Sequence, residues 1–248
     1  MDLSPATLAL VVATFFVAGL VKGVTGMGLP TVAMGVLGAV LSPLAAASLL
    51  IVPSSVTNLW QLFAGPSVSA LSRRLWPMMA AIVLGTLAGS AILAGGDGRA
   101  TTTALGLALV LYAAVTLLAR PWRVPAAWER IASPLVGLAT GLVTGATGVF
   151  VIPAVPYLQS LGFERDTLVQ ALGLSFTVST FALAAGLLWQ GAAPGTGWLA
   201  SALLVLPALV GMGAGQIVRA FISPAVFRRV FLVGLLLLGL EMTARALV

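Results

Sequence analysis

Gly19-Leu-Val-Lys-Gly-Val-Thr-Gly-Met-Gly-Leu-Pro30 returns in the second half of the chain as Gly141-Leu-Val-Thr-Gly-Ala-Thr-Gly-Val-Phe-Val-Ile-Pro153. From Gly19 to Gly26 the offset is a constant 122 residues, and six of eight positions are identical. The chain has 248 residues, so the offset is close to half its length. Each copy interrupts a long apolar stretch with glycine and proline. In a membrane such an interruption is tolerated only where the loosened backbone is buried in protein or lines a cavity. One interruption per half points to a transporter built from internal repeats, with its site at the interruptions.

Composition agrees. Apolar residues make up 60% of the chain and charged residues 7%, against about 25% charged in an ordinary soluble domain. With a mean hydropathy of +1.14, the chain reads as an integral membrane protein. It has no cysteine and no histidine, which removes the thiolate metal site and the commonest general base and metal ligand. No cofactor and no metal is expected. The net charge of +6 does not imply nucleic acid, because the arginines lie in short loops as topology signals rather than in a basic arm. The partners expected are the lipid bilayer, a small anionic substrate and a possible second copy of the chain. The apolar run from the N-terminus to Val21 is too long for a signal peptide and reads as a first membrane segment.

Five segments per half follow, placed at 5–25, 29–41, 43–63, 75–93 and 100–119, then 131–147, 149–161, 167–189, 197–220 and 224–246. The first repeat covers 1–122 and the second 131–248, with 123–130 as connector. Other positions keep the spacing: Trp76 lies 122 before Trp198, and Gly85 and Gly89 correspond to Gly211 and Gly215 at 126. The segments 29–41 and 149–161 are short. Thirteen residues reach about 20 Å, against a hydrocarbon core of roughly 30 Å. They read as half-helices continuing from the glycine break, or as re-entrant hairpins.

With five crossings per half and the N-terminus outside, nine arginines (73, 74, 120, 123, 130, 165, 219, 228 and 229) face the cytoplasm. Only Arg99 and Arg245 lie outside, and both termini are outside. Four crossings per half leave Arg73/Arg74 and Arg228/Arg229 on opposite sides. The positive-inside rule thus favours an all-α fold of two inverted five-segment repeats.

Gly19/Gly23 and Gly141/Gly145 are GxxxG pairs suited to close helix packing. The run from Thr25 through Gly26 and Gly28 to Pro30, with Thr147, Gly148 and Pro153 in the second copy, suits a binding site, because free N–H groups at a helix start attract an anion. Lys22 is the only lysine. It either snorkels to the interface or serves as counter-charge to an anion; its partner position is Thr144. Asn58 and Gln61 share a helix face and, with Thr177, are uncharged donors suited to an oxyanion. Ser54, Ser55, Thr57, Gln170, Ser175, Ser179 and Thr180 are the other polar residues of these two segments. The tryptophans at segment ends read as interface anchors. The absence of a carboxylate pair argues against a protein-borne proton or sodium site. Hydrolysis would need a serine beside Lys22, and none lies within a helical turn, so the chain reads as no enzyme.

The paired motifs resemble those of the sulfite exporter TauE/SafE family of bacterial membrane transporters, over nearly the whole chain. The resemblance implies export of sulfite or an organosulfonate across the bacterial inner membrane, with the glycine turns as functional centre. Alternating access around a midplane site is the mechanism expected. An anion channel, or a transporter of a non-sulfur organic anion, is the alternative. One departure stands out: Phe150 replaces Gly28 in the second copy, and Pro153 comes one residue late.

Overall fold

A computed structural model describes residues 4–118, 123–192 and 197–247. Arg120 and the first three residues lie outside the described residues. The described residues form eleven helices: α1 (Pro5–Thr25), α2 (Leu29–Val40), α3 (Pro43–Phe63), α4 (Val68–Gly95), α5 (Gly98–Leu118), α6 (Ala126–Thr147), α7 (Ala154–Ser160), α8 (Arg165–Trp189), α9 (Gly197–Leu203), α10 (Val205–Val218) and α11 (Pro224–Leu247). Six spans are long and apolar enough to cross a membrane: α1, α3, α4, α5, α8, and α9 and α10 taken together from Trp198 to Val218. Exposed Leu8, Val12, Phe16, Leu84, Leu107 and Leu206 give the bundle an apolar outer surface, as a lipid-facing protein requires.

The motif ends its helix in the same way twice. Gly26 (φ 78°) and Gly148 (φ 72°) are left-handed caps, a conformation that glycine adopts without the penalty a Cβ brings. The Gly26 N–H donates to Lys22 O, and the Gly148 N–H to Thr144 O. Thr25 Oγ1 accepts from Met27 N at 3.3 Å, and Thr147 Oγ1 from Val149 N at 3.2 Å. The copies then diverge. Gly28, at φ 104°, lets α2 start at once. Phe150 cannot take that conformation cheaply, and a residue before proline avoids the α region. Residues 149–153 therefore stay non-helical, and the expected segment 149–161 is reduced to the seven-residue α7.

Three other differences from expectation go beyond a shift of one or two residues. α6 starts at Ala126 and not at 131, so most of the expected connector 123–130 is helix. α4 starts at Val68 and not at 75, because Ser67 caps it by accepting from Ala70 N. The expected segment 197–220 is divided at Leu204, where the ring of Pro207 opposes the carbonyl of Leu203 four residues back.

Packing follows the glycines. α1 lies along α10 and α4 along α6, while α3 and α8 form the most buried centre and α5 pairs with α11. A Cβ on Gly19 would sit 2.1 Å from Ala208 O, and one on Gly23 2.2 Å from Met212 O. In the other half, a Cβ on Gly141 would sit 2.3 Å from Ile82 O, and one on Gly145 2.3 Å from Thr86 O. Reciprocally, Gly211 and Gly215 press on Phe16 O and Leu20 O, as Gly85 and Gly89 press on Leu138 O and Leu142 O. Backbones approach this closely only where side chains are missing.

α3 carries Pro53 in its interior, which deprives Leu49 O of its ladder donor. Ser201 of α9 fills the gap: its Oγ donates to Leu49 O at 2.8 Å and accepts from Val52 N at 3.2 Å.

Candidate functional site

A cleft of about 660 Å³ opens between the ends of α1, α3, α8 and α10. Lys22, Thr25, Gly26 and Gln61 line it, and Glu164, Asp166 and Arg219 stand at its mouth. Four of the residues expected from the sequence thus share one polar cavity. α1 stops at Gly26, which leaves room beside its last turn, and α3 presents Gln61 to the same space.

Lys22 is only 4% exposed, so its side chain does not reach out to the interface. Nζ turns inward and donates to Thr57 Oγ1 at 3.1 Å and to Asn58 Oδ1. Asn58 is fully buried and passes the network across the molecule: its Nδ2 donates to Thr180 Oγ1 at 3.1 Å. Thr180 is the position 122 residues after Asn58, so corresponding residues of the two halves meet. Among the described residues no carboxylate lies within ion-pair distance of Lys22; Glu129 and Glu241 pair elsewhere, with Arg74 and Arg245. An ammonium has three donors, and here two of them serve neutral oxygens. Burying an unpaired charge costs several kcal/mol, a cost that an incoming anion would reduce.

Gln61 Nε2 donates to Gly26 O at 3.0 Å and to Val169 O at 2.9 Å. Gln170 answers from α8, donating to Leu62 O at 2.8 Å and accepting from Ser67 N at 3.1 Å. These amides join the end of α3 to the start of α8. Beyond Asn58, the hydroxyls of Ser54, Ser175 and Ser179 are buried without hydrogen-bond partners among the described residues.

The remaining expected residues lie elsewhere. Gly28 packs near Val21 and Phe231, and Pro30 is buried in the first turn of α2; neither lines the cleft. Gly148 packs against Met34. Thr147 and Pro153 border two apolar grooves that share no lining residue with the cleft. Thr177 returns its hydroxyl to Gly173 O at 2.7 Å. The sequence places Thr57, Gln170 and Thr180 among the candidate polar residues without favouring them, and Arg219 only among the topology signals; the spacing of 122 was the signal that could have singled out Thr180.

A family model described as sulfite exporter TauE/SafE matches residues 11–242. The chain belongs to the sulfite exporter TauE/SafE family. No curated protein and no solved structure matches it at a significant level. As a TauE/SafE protein it is a multi-pass membrane transporter and not an enzyme. In this TauE/SafE chain the first glycine motif borders a polar cleft and the second borders apolar grooves, so its two motif copies differ in surroundings as well as in sequence.

Proposed function

We propose that this TauE/SafE chain exports a small sulfur oxyanion or organosulfonate across the bacterial inner membrane, by alternating access around the Lys22 cleft. The observation that carries this reading is the buried ammonium of Lys22, held by Thr57 and Asn58 and met by no carboxylate among the described residues. Lys22 attracts the anion, and Thr25, Gly26 and Gln61 shape the cleft around it. Asn58 holds Lys22 in place, and the unpartnered Ser54, Ser175 and Ser179 offer the next donors along the α3–α8 seam.

The moving parts are two inverted repeats, 1–122 and 131–248. Three observations support them: matching glycine contacts in α1–α10 and α6–α4, the Asn58–Thr180 bond between corresponding positions, and the identical caps at Gly26 and Gly148. The cleft opens on the face that carries Arg73, Arg74, Arg165 and Arg219, which the positive-inside rule assigns to the cytoplasm. An inside-negative potential then favours exit of an anion by about 2.3 kcal/mol per charge per 100 mV.

The test is a flux panel in proteoliposomes with sulfite, thiosulfate, sulfonates, sulfate and carboxylates. Saturable flux that prefers sulfur monoanions is expected. Preference for carboxylates or cations would refute the substrate class, and non-saturable flux would favour a channel.

A further inference from the structure

The groove beside Pro153 suits a hydrocarbon chain. It holds about 640 Å³ and lies between α5, α6 and α7. Trp128, Ala132 and Val136 form its α6 wall, at the four-residue spacing that puts them on one helix face. Leu111 and Val115 contribute the α5 side, and both are exposed. Pro125, Pro153 and Pro156 also line it, and proline has no N–H to offer. A peptide seated there would leave backbone groups of its own unpaired, whereas hydrocarbon needs no partner. From Trp128 to Val136 the wall runs about 12 Å, close to the roughly 15 Å of hydrocarbon in one leaflet.

One end of the groove is basic. Arg123 is exposed and immediately precedes Val124 and Pro125, which line that end. The Val124 N–H donates to Ser160 O at 3.1 Å, which ties this stretch to the last residue of α7. The acidic residue of the region, Glu129, is already neutralised: Arg74 donates to both its carboxylate oxygens, at 2.6 and 2.8 Å. Among the described residues Arg123 takes part in no ion pair. Trp128 is 65% exposed at the same end, and tryptophan favours the headgroup level of a membrane. Uncompensated positive charge next to an apolar slot is complementary to an anionic amphiphile.

We propose that this groove binds an anionic phospholipid of the cytoplasmic leaflet, with one acyl chain along Trp128, Ala132 and Val136 and the phosphate on Arg123. The leaflet follows from the orientation proposed above; the site itself does not depend on it. The lipid packs against Pro153 and Pro156, and so against the non-helical stretch that ends the second glycine motif. It does not touch the Lys22 cleft, with which the groove shares no lining residue.

The experiment reads Trp128 fluorescence of the full chain in phosphatidylcholine vesicles to which dibrominated lipid is added, since bromine quenches a tryptophan that it touches. The chain has six tryptophans, so the Trp128 signal is taken as the difference from Trp128→Phe, a change at an exposed position. Brominated phosphatidylglycerol is expected to quench it at an about fivefold lower mole fraction than brominated phosphatidylcholine, the effect of one arginine near an anionic headgroup. Arg123→Gln should remove the preference. Arg130→Gln should keep it, because Arg130 lies about 200° around α6 from Trp128 and adds only to the general surface charge. Equal quenching by the two lipids in the unaltered chain would overturn the proposal and leave ordinary annular lipid. So would a preference retained in Arg123→Gln, or an equal loss in both arginine variants, which would assign it to the surface potential. No transported anion is present in these measurements, so their outcome is separate from that of the Lys22 reading.

Discussion

At the scale of single residues, Lys22 concentrates the chemistry. A lysine near a segment end has two stable options in a membrane, and the sequence leaves both open: it extends to the interface, or it turns inward and finds a partner. The choice depends on what lies opposite. Thr57 and Asn58, 35 and 36 residues further on, supply the oxygens that hold Nζ, and no local pattern announces that pairing. Replacing Lys22 by Gln keeps a donor but removes the charge. Charge-assisted hydrogen bonds are worth about 1.5–3 kcal/mol, so anion affinity should fall roughly tenfold to a hundredfold while the chain stays folded. Equilibrium binding of sulfite or a sulfonate to purified protein measures it. Unchanged affinity would leave Lys22 a structural role as clasp between α1 and α3.

At the scale of elements, the glycines and one serine decide how the helices fit. Gly23 faces Met212 O so closely that a Cβ would come within 2.2 Å of it. Gly23→Ala should therefore push α1 from α10, at a cost of about 1–3 kcal/mol as for other overpacked sites. Gly213→Ala on α10 is the control, since a Cβ there meets nothing within 4 Å and alanine favours a helix. Thermal unfolding in detergent should separate the two; equal melting points would show that α1 and α10 do not depend on this contact. Ser201→Ala tests the repair of α3. It leaves Leu49 O without its donor beside Pro53, and the loss should be about 1–3 kcal/mol, read in the same assay. Much of this level was legible beforehand: the bounds of α1 and α3, and the GxxxG faces, follow from apolar length and glycine spacing alone. The brief α7 was half legible, because Phe150 and the late Pro153 stood in the sequence but their effect on backbone φ was not drawn out. The Ser201–Leu49 bond was not legible, since it joins residues 152 apart that no periodicity relates.

At the scale of the whole molecule, the distribution of arginines and the position of the cleft make one joint claim. Arg74 pairs with Glu129 at the starts of α4 and α6, and the cleft joins the ends of α1, α3, α8 and α10. These ends share one face with Arg73, Arg165 and Arg219, whereas Arg99 begins α5 at the far end of α4. If the positive-inside rule governs insertion, the cleft faces the cytoplasm, where an exporter must load. The chain has no cysteine, so single cysteines can report sidedness without background. A membrane-impermeant maleimide applied to intact cells should label Asp97→Cys, beyond the end of α4, and leave Arg73→Cys untouched. Inverted vesicles should give the opposite pattern. Thr167→Cys, on the cleft wall, should react from the Arg73 side, and more slowly in the presence of a transported anion. Labelling of Arg73→Cys from outside the cell would invert the topology and, with it, the direction of loading. Labelling of Thr167→Cys from the Asp97 side alone would place the cleft on the releasing face.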